Sequence, residues 1–273
     1  MRKWANTVLI YAILCVVWVA FLFPLILAFV NSFKSLPQII TSPLSVPKTL
    51  TSSNYTKAFQ AMKYPLAFAN TALISVVSVL ILCLFSAMAA HLFVRNPWKV
   101  NKAVFAVMIA SMIIPFQSIM IPMMRIYGSL GLLNSRGLLI FQYVAFGTPM
   151  AVFMYHGFIK GVPKELEEAA IIDGCGRYQT FFKIVLPLLK STTSSIIILD
   201  MLWFWNDYLL PYLVLKKPAQ RTLSLATFYF YGTHSADYGL LLAALVMAAI
   251  PLLILYLFLQ RYVIRGIVLG AFK

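Results

Sequence analysis

Seven carboxylates are all that this 273-residue sequence offers for acid chemistry, and they are unevenly placed. Four of them, Glu165, Glu167, Glu168 and Asp173, fall between Lys160 and Lys190. Two more, Asp200 and Asp207, stand seven residues apart in an otherwise apolar run that also holds Trp203 and Asn206. On one straight helix that spacing puts both acids on one face, with Trp203 near it. Asp and Asn exchange hydrogen bonds with polar ligands, but equally with neighbouring helices, and the residue types leave both readings open. The remaining chemistry is sparse. His91, His156 and His234 are isolated and read as interfacial or polar-tip residues, and no Cys/His/Asp/Glu cluster has the spacing of a metal site. Cys15, Cys83 and Cys175 make no disulfide framework and read as small packing residues. No Gly-x-x-x-x-Gly-Lys-Ser/Thr loop is present to hold a nucleotide phosphate.

The elements that carry these residues are set by composition. Hydrophobic residues make up 62% of the chain and charged residues 11%, with a mean hydropathy of +0.89. A soluble domain is about 25% charged, and a fold of this length in water could not hide so much apolar surface. The chain is therefore expected to be an all-α integral membrane protein. The net charge of +15 is carried by residues scattered singly between apolar runs. That pattern fits lipid headgroups and loop orientation and gives no nucleic-acid footprint.

Six runs reach the roughly 20 residues a helix needs to cross the hydrocarbon core: 8–31, 68–91, 103–124, 138–158, 192–214 and 239–260. Arg2 and Lys3 ahead of the first run resemble the start of a secretory signal, but the run is long and the reading is an uncleaved span. With the N-terminus inside, thirteen Lys and Arg lie in cytoplasmic segments and nine outside, so both termini are expected in the cytoplasm. Residues 1–67 then form the first span and an external loop, 68–262 the transmembrane domain, and 263–273 a cytoplasmic tail. A short amphipathic helix is expected near 54–62 in the external loop. Pro115, Pro122, Pro149 and Pro251 fall inside runs and are expected to kink them. Ser86 and Ala90, four apart, permit close helix approach.

The acidic segment, 160–190, predicts a helix–turn–helix elbow. Pro163 suits a first helical position, the acids complement the N-terminal dipole, and Gly174 suits a left-handed cap, so one helix is expected over 163–173. A second should run from about Arg177 and end before Pro187. Tyr178, Phe181 and Phe182, flanked by Arg177 and Lys183, form either a docking surface for a partner or aromatics packed under the bundle or in the lipid interface. Spacing alone does not choose.

A resemblance does. Glu168-Ala169-Ala170, Asp173-Gly174, Phe181 and Ile184-Val185-Leu186-Pro187 resemble the signature loop, the EAA motif, of ATP-binding-cassette (ABC) importer permeases. Asn31-Ser32-Phe33-Lys34, Ile114-Pro115 with Gln117, Gly131-Leu132-Leu133-Asn134, Trp205-Asn206-Asp207-Tyr208 and the closing Gln260-Arg261-Tyr262, Gly266 and Gly270-Ala271 are similar to carbohydrate-uptake permeases, on the smaller six-span partner of the maltose-type pair. The resemblance covers nearly the whole chain. It implies a type I (MetI-like) importer fold in a bacterial inner membrane. It also implies a second homologous permease subunit, two cytoplasmic ATPase subunits carrying ATP and Mg, and an external sugar-binding protein, with no cofactor on this chain. Carried over by position, Glu168 contacts the ATPase, Ala169, Ala170 and Asp173 belong to the docking helix, and Gly174 makes the turn. Cys175 to Phe182, with Arg177, Tyr178 and Phe181, then enter the ATPase groove. Cys175 departs from the small residue, often Ala, usual there. A sugar path lined by Gln117, Asp200, Trp203, Asn206 and Asp207 suits such a permease, since hydroxyls bond to carboxylates and amides while indoles pack on sugar faces.

Two rival functions carry different expectations. A secondary transporter or channel would couple through intramembrane acids but leaves the elbow's signature unexplained. A membrane enzyme would need a cluster of reactive side chains that the sequence lacks.

Overall fold

A computed structural model describes residues 2–47, 49–228, 230 and 237–271, with side chains described through 258 and at 260 apart from Arg2, Lys3 and Ala5. His234, part of the first-named trio of histidines, lies outside the described residues, as do the side chains of the closing motif beyond Gln260.

The regular elements are helical. They run in order as α1 (Arg2–Ser32), α2 (Leu36–Thr41), α3 (Ser53–Ala61), α4 (Tyr64–Arg95), α5 (Lys99–Ser111), α6 (Phe116–Ser129) and α7 (Arg136–Ile159). Then come α8 (Glu165–Ile172), α9 (Arg177–Thr180), a π-helical turn (Phe181–Val185), α10 (Leu186–Leu188) and α11 (Lys190–Asn206). The chain continues as α12 (Leu209–Val214), a 3₁₀ turn (Pro218–Gln220), α13 (Leu223–Phe228) and α14 (Tyr238–Ala271). Four stretches, Asn6–Ser32, Tyr64–Arg95, Arg136–Ile159 and Tyr238–Phe258, are long and apolar enough to cross a membrane unbroken. Counting each of two bent pairs as one span, α5 with α6 and the Arg177–Leu188 stretch with α11, gives up to six among the described residues.

Two expected spans are therefore not single helices. The run 103–124 breaks at Met112–Pro115, where α5 and α6 meet at 104°. Pro115 has no N–H and takes the extended cap of α6, so the ladder cannot pass through it. Pro122, by contrast, stays inside α6, and Pro149 and Pro251 inside α7 and α14. The run 192–214 breaks at Asp207, whose ψ of 128° is extended and ends α11.

The chain divides into two compact units, Met1–Pro65 with Ala226–Pro251, and Leu66–Leu225 with Leu252–Lys273. In the first unit α1 is apolar on every side and none of its most apolar window is buried. The loop that follows α1 in this unit is tightly bonded. Asn54 Nδ2 donates to the carbonyls of Ser32 and Lys34 (2.8 and 2.9 Å), and Ser32 Oγ meets Tyr55 Oη at 2.6 Å. Lys34, among the nine basic residues expected outside, is bonded within this loop. Its side chain is fully buried, with Nζ donating to the carbonyls of Ser42 and Pro43, both at 3.0 Å. The expected amphipathic helix is α3; α2, opened by Pro37, was not foreseen.

The second unit holds the core. Apolar surface gives no net drive for helices to associate in lipid, so close approach through small residues does the work. Helix α4 buries Ala67, Thr71, Ser75 and Val79 at four-residue steps, and Ser78, Leu82, Ser86 and Ala90 on the adjoining row. Gly147 of α7 lies against Leu82: a Cβ there would sit 3.1 Å from one Leu82 methyl and 3.3 Å from Asp200 Oδ1. Three helices, α4, α7 and α11, thus converge on one glycine. Tyr155 Oη donates to Thr193 Oγ1 at 2.9 Å and ties α7 to α11 lower down.

Candidate functional site: the elbow and the broken span

The elbow forms because each end is chemically stopped. Three acids occupy the first turn of α8, where they face the helix's positive end. Gly174 leaves the helix at φ +84°, a left-handed conformation that costs glycine nothing, and Cys175 N bonds back to the Ala170 carbonyl at 2.9 Å. The first helix is shorter than expected, beginning at Glu165 rather than Pro163. The second does not stop before Pro187. It widens into the π turn and Pro187 falls at the start of α10, where an absent N–H is tolerated.

The elbow's residues separate into two faces. Glu168, Ala169, Asp173, Gly174, Arg177, Tyr178 and Phe182 are exposed, with Tyr178 73% exposed. Cys175 is half-buried, while Ala170 and Phe181 are buried. Of the three aromatics, Phe181 packs under the bundle rather than joining an outward surface, with its ring 5.2 Å from Phe182 and 5.4 Å from His91. Ile172, 85% exposed, was not singled out. It sits two residues from buried Ala170, roughly opposite on the helix, and that offset was the available signal.

Glu167 was also missed. Its carboxylate takes Arg95 Nε at 2.8 Å and Arg95 Nη2 at 2.7 Å on one oxygen, and His91 Nε2 at 2.9 Å on the other. Burial pushes this carboxyl up, but the bonds from His91 and Arg95 outweigh it and hold the group below the usual carboxylate range. His91 is thus a partner of the elbow, one turn from Arg95 on the same face of α4. His156 stacks on Phe105 with ring centroids 4.0 Å apart.

The broken span displays its polar residues differently from a straight helix. Asp200 is buried in α11 beside Gly147, and among the described residues no cation pairs with it. Asp207 lies past the helix end, accepting from Tyr143 Oη at 3.1 Å and from Leu209 N at 3.0 Å. The shared helical face expected for the two acids does not exist. Trp203 is 44% exposed next to Tyr143 and Phe204, and Asn206 is exposed with its amide donating to the Leu202 carbonyl. Gln117, exposed on α6, has no described contact with either acid. Only Trp203 and Asp207 are joined, both touching Tyr143, a residue that apolar surroundings concealed in the sequence.

The loop motifs close the chain beyond this break. Gly131 and Asn134 adopt φ of +67° and +61°. Asn134 N donates to the Val214 carbonyl at 2.8 Å while its Oδ1 accepts from Lys216 N at 2.7 Å. Asn70 Nδ2 donates to the carbonyls of Ala219 and Arg221, both at 3.0 Å, fixing the segment after α12 to α4.

Residues 83–268, the elbow and broken span included, match the family described as "Binding-protein-dependent transport system inner membrane component". The chain belongs to that family. This permease is 40% identical over 261 residues to the probable starch degradation products transport system permease AmyC of Thermoanaerobacterium thermosulfurigenes, covering 96% of this chain and 94% of AmyC. It is 39% identical over 228 residues to the melibiose/raffinose/stachyose import permease MelC of Bacillus subtilis, with 83% of each chain covered. A crystal structure of a bacterial ABC transporter that imports the acidic polysaccharide alginate contains a chain of the same fold. The TM-score is 0.84 at 20% identity, over 96% of this chain and 98% of that one. The permease thus has the all-helical ABC-importer fold expected from its loop signature.

Proposed function

We propose that this permease passes an oligosaccharide or related sugar, delivered by an external binding protein, across the bacterial inner membrane. ATP with Mg is bound and hydrolysed on two separate subunits, and this chain itself holds no cofactor. The sugar class rests on the substrates named for AmyC and MelC. The observation that carries the mechanism is the elbow: a capped, anchored pair of short helices whose outward face presents Glu168, Ile172, Arg177, Tyr178 and Phe182. Ala169, Asp173, Gly174 and Cys175 line the same turn, while Ala170 and Phe181 back it from inside.

Nucleotide-driven closure of the ATPase pair changes its contacts with this face and so shifts the bundle between two orientations. Moving such an equilibrium from 1:99 to 99:1 takes about 5.5 kcal/mol of differential binding. A second, homologous permease completes the pathway, and the exposed apolar surface of α1 fits either that subunit or lipid. The termini face the cytoplasm, 68–262 forms the translocating part, and 1–67 and 263–273 flank it. Asp207 and Trp203 at the break in the fifth span line the sugar's route, backed by buried Tyr143. Asn206 and Gln117, both exposed, face it from other levels, and Asp200 backs it from within the helix core.

Glu168→Lys is expected to weaken ATPase association by about tenfold or more, since one charge-assisted contact becomes a repulsive one. Co-purification of the assembled importer from membranes measures this directly. Unchanged association and uptake in that variant would reject the docking assignment. Binding-protein-stimulated ATPase activity of the reconstituted importer, measured against a panel of oligosaccharides, tests the substrate class. Uptake by this chain alone without ATP would replace the proposal with a secondary transporter.

A further inference from the structure

The elbow's inner side is bonded to one helix with more care than a passive loop requires. Arg95, the last residue of α4, spends both arms on the elbow: Nε and Nη2 on Glu167, and Nη2 also on the Val162 carbonyl at 2.9 Å. His91, one turn earlier, takes the other Glu167 oxygen. All three side chains are 12–15% exposed, so water competes little for these bonds. Phe181, the first residue of the π turn, closes the fourth side against the His91 ring. The segment before α8, α8 itself and the start of the π turn are therefore gripped at a single point, the cytoplasmic end of α4.

That end is attached to something useful. Helix α4 is about 48 Å long at 1.5 Å per residue, and its buried rows run from Ala67 to Ala90 without interruption. Leu82, half-way along, rests on Gly147 beside Asp200. A rigid helix packed this way moves as a body, so displacement at Arg95 is felt at the level where α4, α7 and α11 converge.

We propose that Glu167 is the positioning residue through which the elbow drives α4: it plays no part in ATPase docking and transmits the docked subunit's motion through His91 and Arg95. Glu168, its neighbour, points outward and docks; Glu167 points inward and pulls. Adjacent residues on a helix differ by about 100° in direction, which is what lets two consecutive acids divide these tasks. The inference rests on the docking reading, and its test is arranged so that the two fail separately.

The experiment uses the assembled importer, reconstituted with its binding protein, in four forms: unaltered, Glu167→Gln, Glu167→Arg, and Glu167→Arg combined with Arg95→Glu. The isosteric Glu167→Gln variant guards against loss of folding. ATPase co-purification, binding-protein-stimulated ATPase and sugar uptake are read together. Glu167→Gln and Glu167→Arg are expected to retain ATPase association, while stimulated hydrolysis and uptake fall by about tenfold. The exchanged pair is expected to recover a substantial part of both, which a residue serving only local stability would not do. Stimulation and uptake that stay normal in Glu167→Gln would overturn the proposal. So would loss of association in step with activity, since Glu167 would then be a docking residue. If Glu168→Lys leaves association intact, the docking reading itself falls, whatever Glu167 does.

Discussion

Gly147 allows a test in which one substitution, made twice on the same helix, should act with opposite signs. Replacing an interior helical glycine by alanine ordinarily stabilises by roughly 0.5–1 kcal/mol, because the unfolded chain loses freedom. At Gly157 of α7 nothing lies within 4 Å of the added methyl, and that gain should appear in full. At Gly147 the methyl would sit 3.1 and 3.2 Å from the two Leu82 methyls and 3.3 Å from Asp200 Oδ1, a few tenths of an ångström inside ordinary contact at three points. Leu82 is fully buried, so it cannot swing clear, and Asp200 is held on a third helix. Overpacking of this kind costs about 1–3 kcal/mol, which exceeds the propensity gain. Gly147→Ala should therefore lower the unfolding temperature of the solubilised, assembled importer while Gly157→Ala raises it slightly. Adding Leu82→Ala to Gly147→Ala should cost less than Leu82→Ala alone, because the new methyl fills part of the space. Thermal unfolding of the variants side by side measures this. Equal stabilisation by both alanines would show that the three helices do not meet at Gly147.

Asp207→Asn replaces an acceptor facing Tyr143 Oη and is expected to alter the concentration dependence of sugar uptake while ATPase association stays unchanged. Unaltered transport kinetics would remove Asp207 from the sugar's route. The Glu167 anchor also carries a pH signature. Because its carboxyl is held below its ordinary value, the anchoring free energy is complete above about pH 5 and is lost as pH falls through the depressed value. Hydrogen exchange of the elbow amides, corrected for intrinsic rates, should accelerate over that acidic window. A Glu167→Gln importer should lack the dependence, and an identical profile in both would assign the effect to other groups.

The membrane class, the existence of six apolar runs and the elbow were all legible in the sequence, because each depends on local quantities. Run length against bilayer thickness, the charge count, the acids ahead of Ala169-Ala170 and the glycine at 174 need no knowledge of what packs where. The breaks were legible only in part. Pro115 announced a kink, but Pro122, Pro149 and Pro251 look the same in sequence and stay within helices. Asp207 ends α11 where Pro211, four residues on, has no N–H for its carbonyl, and its carboxylate accepts from Tyr143 Oη and Leu209 N instead.

What the tertiary structure alone decided is which side chain faces what. It buried Lys34 among carbonyls and turned Phe181 into the core. It separated Asp200 from a shared face with Asp207, and it joined Glu167 to His91 and Arg95, more than 70 residues away. These are long-range pairings between polar groups in a sparse polar inventory. A sequence shows that a buried charge must find a partner, but the partner is chosen by helix packing, and packing depends on small residues meeting across helices at positions that periodicity does not rank. The loop motif named the family, and the geometry left Glu168 exposed while turning Glu167 inward to His91 and Arg95.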